Sequence, residues 1–103
     1  MIKTPYKLFF GTLSNEIRLK ILHALAEKPK NVTQLTNELG FDQTTVSKNL
    51  KRLATCQFIT NKKIGKHSIY SLNKKTILPL LKLIDRHVDK YCKNCELLLN
   101  ERI

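Results

Sequence analysis

Apolar side chains between residues 14 and 40 recur every three or four positions, the spacing of one face of an α-helix. Ser14 is predicted to cap the longest of these helices. A short helix over residues 4–10 precedes it, and a third helix, capped by Thr33, is predicted to end at Gly40. The apolar face of the central helix consists of Ile17, Ile21, Leu22 and Leu25.

A fourth helix is predicted over residues 42–56, with Asp42 as its N-cap. Its apolar residues share one face and comprise Val46, Leu50, Leu53 and Ala54. The opposite face carries hydroxyl and cationic side chains, namely Thr44, Lys48, Lys51, Arg52 and Thr55. This helix is therefore expected to bury one side and to offer the other for binding.

The pattern changes after residue 57 to short β-branched and aromatic runs, "FITNKK" and "HSIYSL". Gly65 lies between them and suits a turn that requires a positive φ, so the sequence predicts a β-hairpin. The tip of this hairpin, residues 62–67, is basic, with Lys62, Lys63, Lys66 and His67.

A last helix is predicted over residues 76–101, with apolar residues at alternating gaps of four and three. Such spacing is that of a coiled-coil seam. We expect it to pack on a second copy of the chain, because a domain of this size has little use for so long a stripe. The seam residues are Ile77, Leu81, Ile84, Val88, Tyr91, Cys95 and Leu98.

Charge is distributed unevenly along the chain. Nineteen Lys and Arg stand against eight Asp and Glu, a net charge of +11, and nine basic but no acidic residues lie between Asp42 and Asp85. Such segregation favours a polyanionic partner, and double-stranded DNA in particular. The 103 residues fit a single domain. No membrane-spanning run or signal peptide is recognised, so a cytoplasmic protein with reduced cysteines is expected.

Two short helices joined by a tight turn, the second one basic on its outer face, are typical of a helix-turn-helix. Its second helix can enter the major groove, where base edges present a distinct hydrogen-bonding pattern. A basic hairpin that follows it makes a winged helix.

The chain resembles the ArsR-type winged helix-turn-helix repressors. The resemblance covers residues 13–73 and lies in "LSNEIRLKILHAL", "VTQLTNELGFDQTTVSKNLKRL" and "FITNKKIGKHSIYSLN". It implies a mainly α fold in the order α-α-α-α-β-β-α and a homodimer formed by the first and last helices. It also implies binding to palindromic operators and repression by promoter occlusion.

The resemblance also implies residue roles. The positions that approach bases would be Gln43, Thr44, Thr45, Ser47 and Asn49. From their charge we expect phosphate contacts from Lys48, Lys51 and Arg52 and from the wing residues Lys62, Lys63 and Lys66, and His67 is a further wing residue expected to contact DNA. Phosphate contacts position such a protein, whereas base contacts specify the sequence.

Many ArsR-type proteins sense metals, but neither of two family sites is complete in this sequence. Residues 31–35 contain no cysteine, and Asp85-x-His87 matches only half of a site on the last helix, with Leu98 where a histidine is required. Cys92 and Cys95 leave three readings open. They are packing in the seam, a zinc ion bound by four thiolates across a dimer, and a redox-active pair.

Two other functions compete with a sequence-specific repressor. A nucleoid protein would bind DNA without sequence preference, and a winged helix can also serve as a protein-interaction module. No nucleophile and base at motif spacing, glycine-rich phosphate loop or paired carboxylates point to an enzyme.

Overall fold

The computed structural model describes residues 3–95 and residue 98. Within these residues the elements follow the predicted order, which is confirmed. They are α1 (Thr4–Leu13), α2 (Glu16–Glu27), α3 (Val32–Leu39), α4 (Gln43–Thr55), β1 (Ile59–Ile64), β2 (His67–Leu72) and α5 (Ile77–Tyr91). None of the helices in the described part of the chain is long and apolar enough to cross a membrane.

The chain divides into two compact units, Met1–Asn73 and Lys74–Ile103. The first unit holds α1 to α4 and the hairpin. Its core contains fully buried side chains from three successive helices, including Ile21, Leu22, Leu35, Val46, Leu50 and Leu53. Burial of each such side chain is worth about 1.5–3 kcal/mol, so this core holds the helix-turn-helix together.

Two helices begin at residues other than the predicted caps. The cap of α2 is Asn15 rather than Ser14. The cap of α3 is Asn31 rather than Thr33, and it forms a reciprocal capping box with Gln34 in which both hydrogen bonds are 2.8 Å long. An Asn side chain satisfies the first free N–H groups of a helix as well as Ser or Thr does. The observed caps therefore lie one residue after Ser14 and two residues before Thr33.

The turn between α3 and α4 agrees with the prediction. Gly40 ends α3 in the left-handed region, at φ 79°, and its N–H donates to the carbonyl of Thr36. Asp42 caps α4 by accepting a hydrogen bond from the backbone N–H of Thr45. The turn therefore passes from one helix to the next within residues 40–42, with Gly40 ending α3 and Asp42 beginning α4.

The far end of α4 closes in a Schellman motif. The N–H of Phe58 donates to the Leu53 carbonyl, and that of Gln57 donates to the Ala54 carbonyl, both at 3.0 Å. Gln57 occupies the left-handed position, at φ 60°, which glycine usually fills. Buried Phe58 leads directly into β1.

The predicted hairpin is present, and β1 pairs antiparallel with β2 from Ile59↔Leu72 to Ile64↔His67. Its two-residue loop begins with Gly65 at φ 63°, as a type II′ turn requires. Lys30 extends the sheet by one bridge, exchanging two backbone hydrogen bonds with Tyr70 on β2.

The last helix is shorter than the predicted 76–101, since α5 ends at Tyr91. Cys92 is its C-cap and residues 93–95 form a turn, so Cys95 lies beyond the helix and outside the predicted seam. Residues 96, 97 and 99–101 of the predicted helix lie outside the described residues. Of the seam, Ile77 and Leu81 are buried within one chain and are not available to a second.

Candidate nucleic-acid interface

The outer face of α4 is polar and accessible. Because Val46, Leu50 and Leu53 are fully buried, the rotation of the helix about its axis is fixed. The exposed side chains along it include six of the predicted DNA-contact residues, Gln43, Thr44, Ser47, Lys48, Lys51 and Arg52. Three cations, two hydroxyls and one amide are thus presented together, which suits phosphate and base-edge contacts.

Thr45 supports the start of α4. It is half-buried, its hydroxyl donates to Oδ1 of Asp42, and its N–H approaches Oδ2 at 3.4 Å. The hydroxyl hydrogen bond is the main cause that lowers the pKa of the Asp42 carboxyl below its ordinary value. The hydroxyl of Thr45 therefore acts within the chain, as part of the cap.

Asn49 and Arg52 also make contacts within the chain. The Asn49 Oδ1 accepts from Nη1 of Arg18 at 3.1 Å, and its Nδ2 donates to the Thr45 carbonyl at 2.8 Å. Nε of Arg52 donates to Oγ1 of Thr12 at 3.1 Å, while the Arg52 side chain remains exposed. The amide of Asn49 is thus engaged on both sides within the chain, and both side chains link α4 to the preceding helices.

Thr12 is the centre of this network, and sequence reasoning missed it. Its buried hydroxyl donates to the Leu8 carbonyl at 2.8 Å and lies 3.5 Å from the sulfur of Cys56. The Thr12 carbonyl accepts from Nε of Arg18 at 2.7 Å. Burial, and then the nearby Arg52, lower the pKa of the Arg18 guanidinium from its ordinary value. Nothing in the local sequence distinguishes this threonine from one on a surface.

The wing carries the predicted cations on its surface, where Lys62, Lys63, Lys66 and His67 are all exposed. A polar cleft of about 230 Å³ lies between the tip and second strand of the wing and the starts of α3 and α4. It is lined by Asn31, Val32, Thr33, Gln43, Lys66, His67, Ser68 and Tyr70. The Lys66 ammonium and the start of α3 border the same space, an arrangement that attracts anionic groups.

Lys30 is buried, which sequence reasoning also missed. Its ammonium lies 2.8 and 2.9 Å from the two carboxylate oxygens of Glu38 and 3.3 Å from Glu27. The hydrogen bond to Glu38 is the main cause that raises the pKa of Lys30. Since the Lys30 backbone pairs with β2, the same residue connects α2, α3 and the wing. Lys30, one of the nineteen Lys and Arg residues, thus stabilises the fold and is not available to contact a ligand.

The proposed metal ligands are not gathered within one chain. Asp85 and His87 are exposed on α5, and the His87 ring lies against Tyr91, 5.2 Å between centroids. Among the described residues no three His, Cys, Asp or Glu side chains come close enough to hold a metal ion. A zinc ion shared by Cys92 and Cys95 of two chains stays a prediction. Cys92 and Cys95 are not neighbours on a helical face, as the sequence suggested, because the helix has ended.

A helix-turn-helix followed by a basic two-stranded wing defines the chain as a winged helix-turn-helix protein. The family model described as "Bacterial regulatory protein, arsR family" matches residues 15–61, just under half of the chain. The predicted resemblance to ArsR-type regulators is confirmed. The matching model is one of bacterial regulatory proteins, and the fold is that of winged helix-turn-helix DNA-binding domains.

Several solved structures share this fold. The chain is similar to Rv0081 of M. tuberculosis, with 26% identity, a TM-score of 0.81 and coverage of 90% of this chain and 97% of that one. It is also similar to the homodimeric DNA-binding domain of Mb0332 from Mycobacterium bovis, described as a possible ArsR-family transcriptional regulator. There the identity is 24%, the TM-score 0.80 and the coverage 86% and 82%.

HlyU from Vibrio cholerae N16961 is a further match, with 25% identity, a TM-score of 0.75 and coverage of 90% of this chain and 100% of that one. No curated protein sequence matches the chain.

Proposed function

We propose that the protein is a homodimeric repressor of the cytoplasm that binds a palindromic DNA operator in a sequence-specific manner. The observation that carries the proposal is the exposed polar face of α4, held in a fixed orientation beside a basic wing. In this arrangement α4 lies in the major groove and the wing lies on the neighbouring backbone or in the minor groove.

The contacts divide by chemistry. Gln43, Thr44 and Ser47 are exposed neutral residues in the first half of α4 and are assigned to base edges. The exposed lysines of α4 and the wing are assigned to phosphates, and they are Lys48, Lys51, Lys62, Lys63 and Lys66. The cleft beside the tip of the wing suits one phosphate of the flanking backbone, because Lys66 and the start of α3 line it together.

Dimerisation is supported by exposed apolar side chains in both units. On α1 these are Tyr6, Leu8 and Phe10, and on α5 they are Leu83, Ile84, Val88 and Tyr91. Exposed apolar surface of this kind marks protein interfaces. Two copies related by a two-fold axis would present two α4 helices, which matches a palindromic operator.

The test is selection of bound duplexes from a random DNA library, followed by affinity measurements on the enriched sequence and on a scrambled one. We expect a palindromic consensus and at least about 10³-fold tighter binding to it. Equal affinity for both duplexes would favour the architectural alternative, and binding to neither would favour a protein-interaction module.

Two substitutions then separate the assigned roles. Lys48→Ala should weaken binding to all duplexes by a similar factor and reduce the salt slope by about 0.9. Thr44→Ala should instead change the ranking of operator variants. Lys20→Ala, at a lysine paired with Glu16 on α2, is the matched control and should leave the salt slope unchanged. A salt slope that Lys48→Ala does not alter would remove Lys48 from the phosphate contacts.

A further inference from the structure

Cys92 and Cys95 lie in a turn that brings their backbones close together. The helix ends at Tyr91, residues 93–95 form a turn, and the Cys95 N–H donates to the Cys92 carbonyl at 3.0 Å. A turn closed by such a bond brings its first and last Cα atoms within about 7 Å. Disulfides span Cα separations of about 4.4–6.8 Å, so the backbone already holds the two residues near bonding range.

The side chains are also near one another and accessible. Both are free thiols, with Cys92 half-buried and Cys95 exposed. A hydrogen bond to the Cys95 sulfur, and then partial burial, raise the pKa of the Cys92 thiol.

A disulfide requires only one chain, whereas a metal site requires more ligands. Within residues 3–95 and 98 no group of three metal-ligating side chains is assembled, so a metal ion here would depend on a second chain. The alternative of packing in a helical seam is also weakened, since Cys95 lies outside α5. The redox reading is the one that the geometry of a single chain supports.

We propose that Cys92 and Cys95 form a reversible intramolecular disulfide, with a low-molecular-weight disulfide such as oxidised glutathione as the oxidant. The Cys95 thiol, the more exposed one, loses its proton to solvent and attacks one sulfur of the oxidant. A mixed disulfide forms and one thiol is released. The Cys92 thiol then loses its proton and attacks the Cys95 sulfur, which forms the internal bond and releases the second thiol.

Two electrons pass from the pair to the oxidant in this exchange, and the two protons lost by the cysteines end on the released thiols. In a reducing compartment such a disulfide is transient, as is usual for redox-sensing cysteines. The bond would form immediately after Tyr91, the last exposed apolar residue of α5, and so at the end of the surface assigned to dimerisation. The thiol chemistry itself does not depend on the proposed DNA binding.

The experiment equilibrates the full chain with oxidised and reduced glutathione, quenches it with acid, blocks free thiols and digests it with trypsin. Lys93 lies between the two cysteines, so cleavage after it leaves two peptides that only a Cys92–Cys95 disulfide joins. We expect the joined peptides in oxidising buffer, a fall of about tenfold or more in blocked Cys92 and Cys95, and reversal by reduced glutathione.

Variants identify the order of attack. Cys92→Ser should retain one glutathione on Cys95, while Cys56→Ser should leave the joined peptides unchanged. Three results would overturn the proposal: both thiols blocked in full in oxidising buffer, a bond linking two chains instead of one, or zinc bound at one ion per two chains that protects both thiols. DNA affinity is measured in a separate experiment. The disulfide result can therefore be interpreted even if the chain does not bind DNA.

Discussion

The helices α4 and α5 are both amphipathic, yet only α4 completes its packing within one chain. The apolar residues of α4, Val46, Leu50 and Leu53, have no exposed surface. On α5 only Ile77 and Leu81 are buried to a similar degree. The apolar residues that follow are 56% exposed at Leu83, 37% at Ile84, 48% at Val88 and 65% at Tyr91.

The difference separates two kinds of hydrophobic pattern that a sequence alone does not tell apart. In α4 the apolar face fixes which polar residues point outward, and so it determines the binding surface. In α5 most of the apolar face remains exposed in a single chain, and a partner copy can bury it. The following substitutions test this comparison.

Leu50→Ala should have the largest effect. Removing a fully buried side chain from α4 costs about 2–5 kcal/mol of unfolding free energy, because a cavity remains where the leucine packed. Urea denaturation at constant protein concentration measures it. Lys51→Ala, on the exposed face of the same helix, should change stability by less than about 0.5 kcal/mol. Equal effects of both substitutions would contradict the assigned orientation of α4.

Val88→Glu should act on association and leave the fold of one chain intact. A charge placed in an apolar contact should weaken the dimer at least about tenfold, or roughly 1.4 kcal/mol. Sedimentation equilibrium measures the dimer constant, and circular dichroism checks that helix content is retained. Lys82→Glu makes a larger charge change at an exposed, polar position of α5 and serves as the control. A dimer of unchanged strength would remove this face of α5 from the interface.

Asp42→Asn should have a smaller effect that depends on pH. In the folded chain the hydroxyl of Thr45 and backbone N–H groups lower the pKa of Asp42 below its ordinary value of 3.8. Its stabilising contribution is therefore fully present above pH 3.8 and is lost as the pH falls through the lower folded value. Asparagine still caps the helix but does not titrate. The free energy of unfolding of the variant should therefore fall less steeply as the pH is lowered.

Urea titrations between neutral and acidic pH measure this slope. The same substitution at Asp89, an exposed carboxylate on α5, is the control. A slope that Asp42→Asn leaves unchanged would show that the carboxylate does not contribute through its charge.

Local chemistry was sufficient to predict the turns and the start of α4. Asp42 and Gly40 carry strong capping preferences, and Gly65 a preference for positive φ, so each marks its position without knowledge of the rest of the chain. The hydrophobic pattern likewise placed Leu50 and Leu53 on the buried face of α4.

Other features depend on tertiary contacts and could not be predicted from the local sequence. Lys51 and Arg52 are adjacent cations, but only Arg52 bonds to Thr12, which lies forty positions upstream. The apolar repeat also continues past Tyr91 to Cys95 although α5 has ended, and no glycine or proline marks that boundary. The spacing of residues along the chain indicates neither the Arg52 contact nor the end of α5. Each depends on the position of backbone that is distant in the sequence.

The Schellman closure of α4 has a consequence for recognition. Gln57 turns the chain so sharply that β1 begins four residues after α4 ends, and Asn73, after β2, bonds the carbonyls of Gln57 and Phe58, both at 3.0 Å. The wing is thereby held to the end of α4 at its base, where both strands start and finish. The separation between α4, which is assigned to the major groove, and the wing, which is assigned to the flanking DNA, is therefore fixed in the free protein. Little ordering entropy then remains to be lost on binding, which favours affinity without any additional contact.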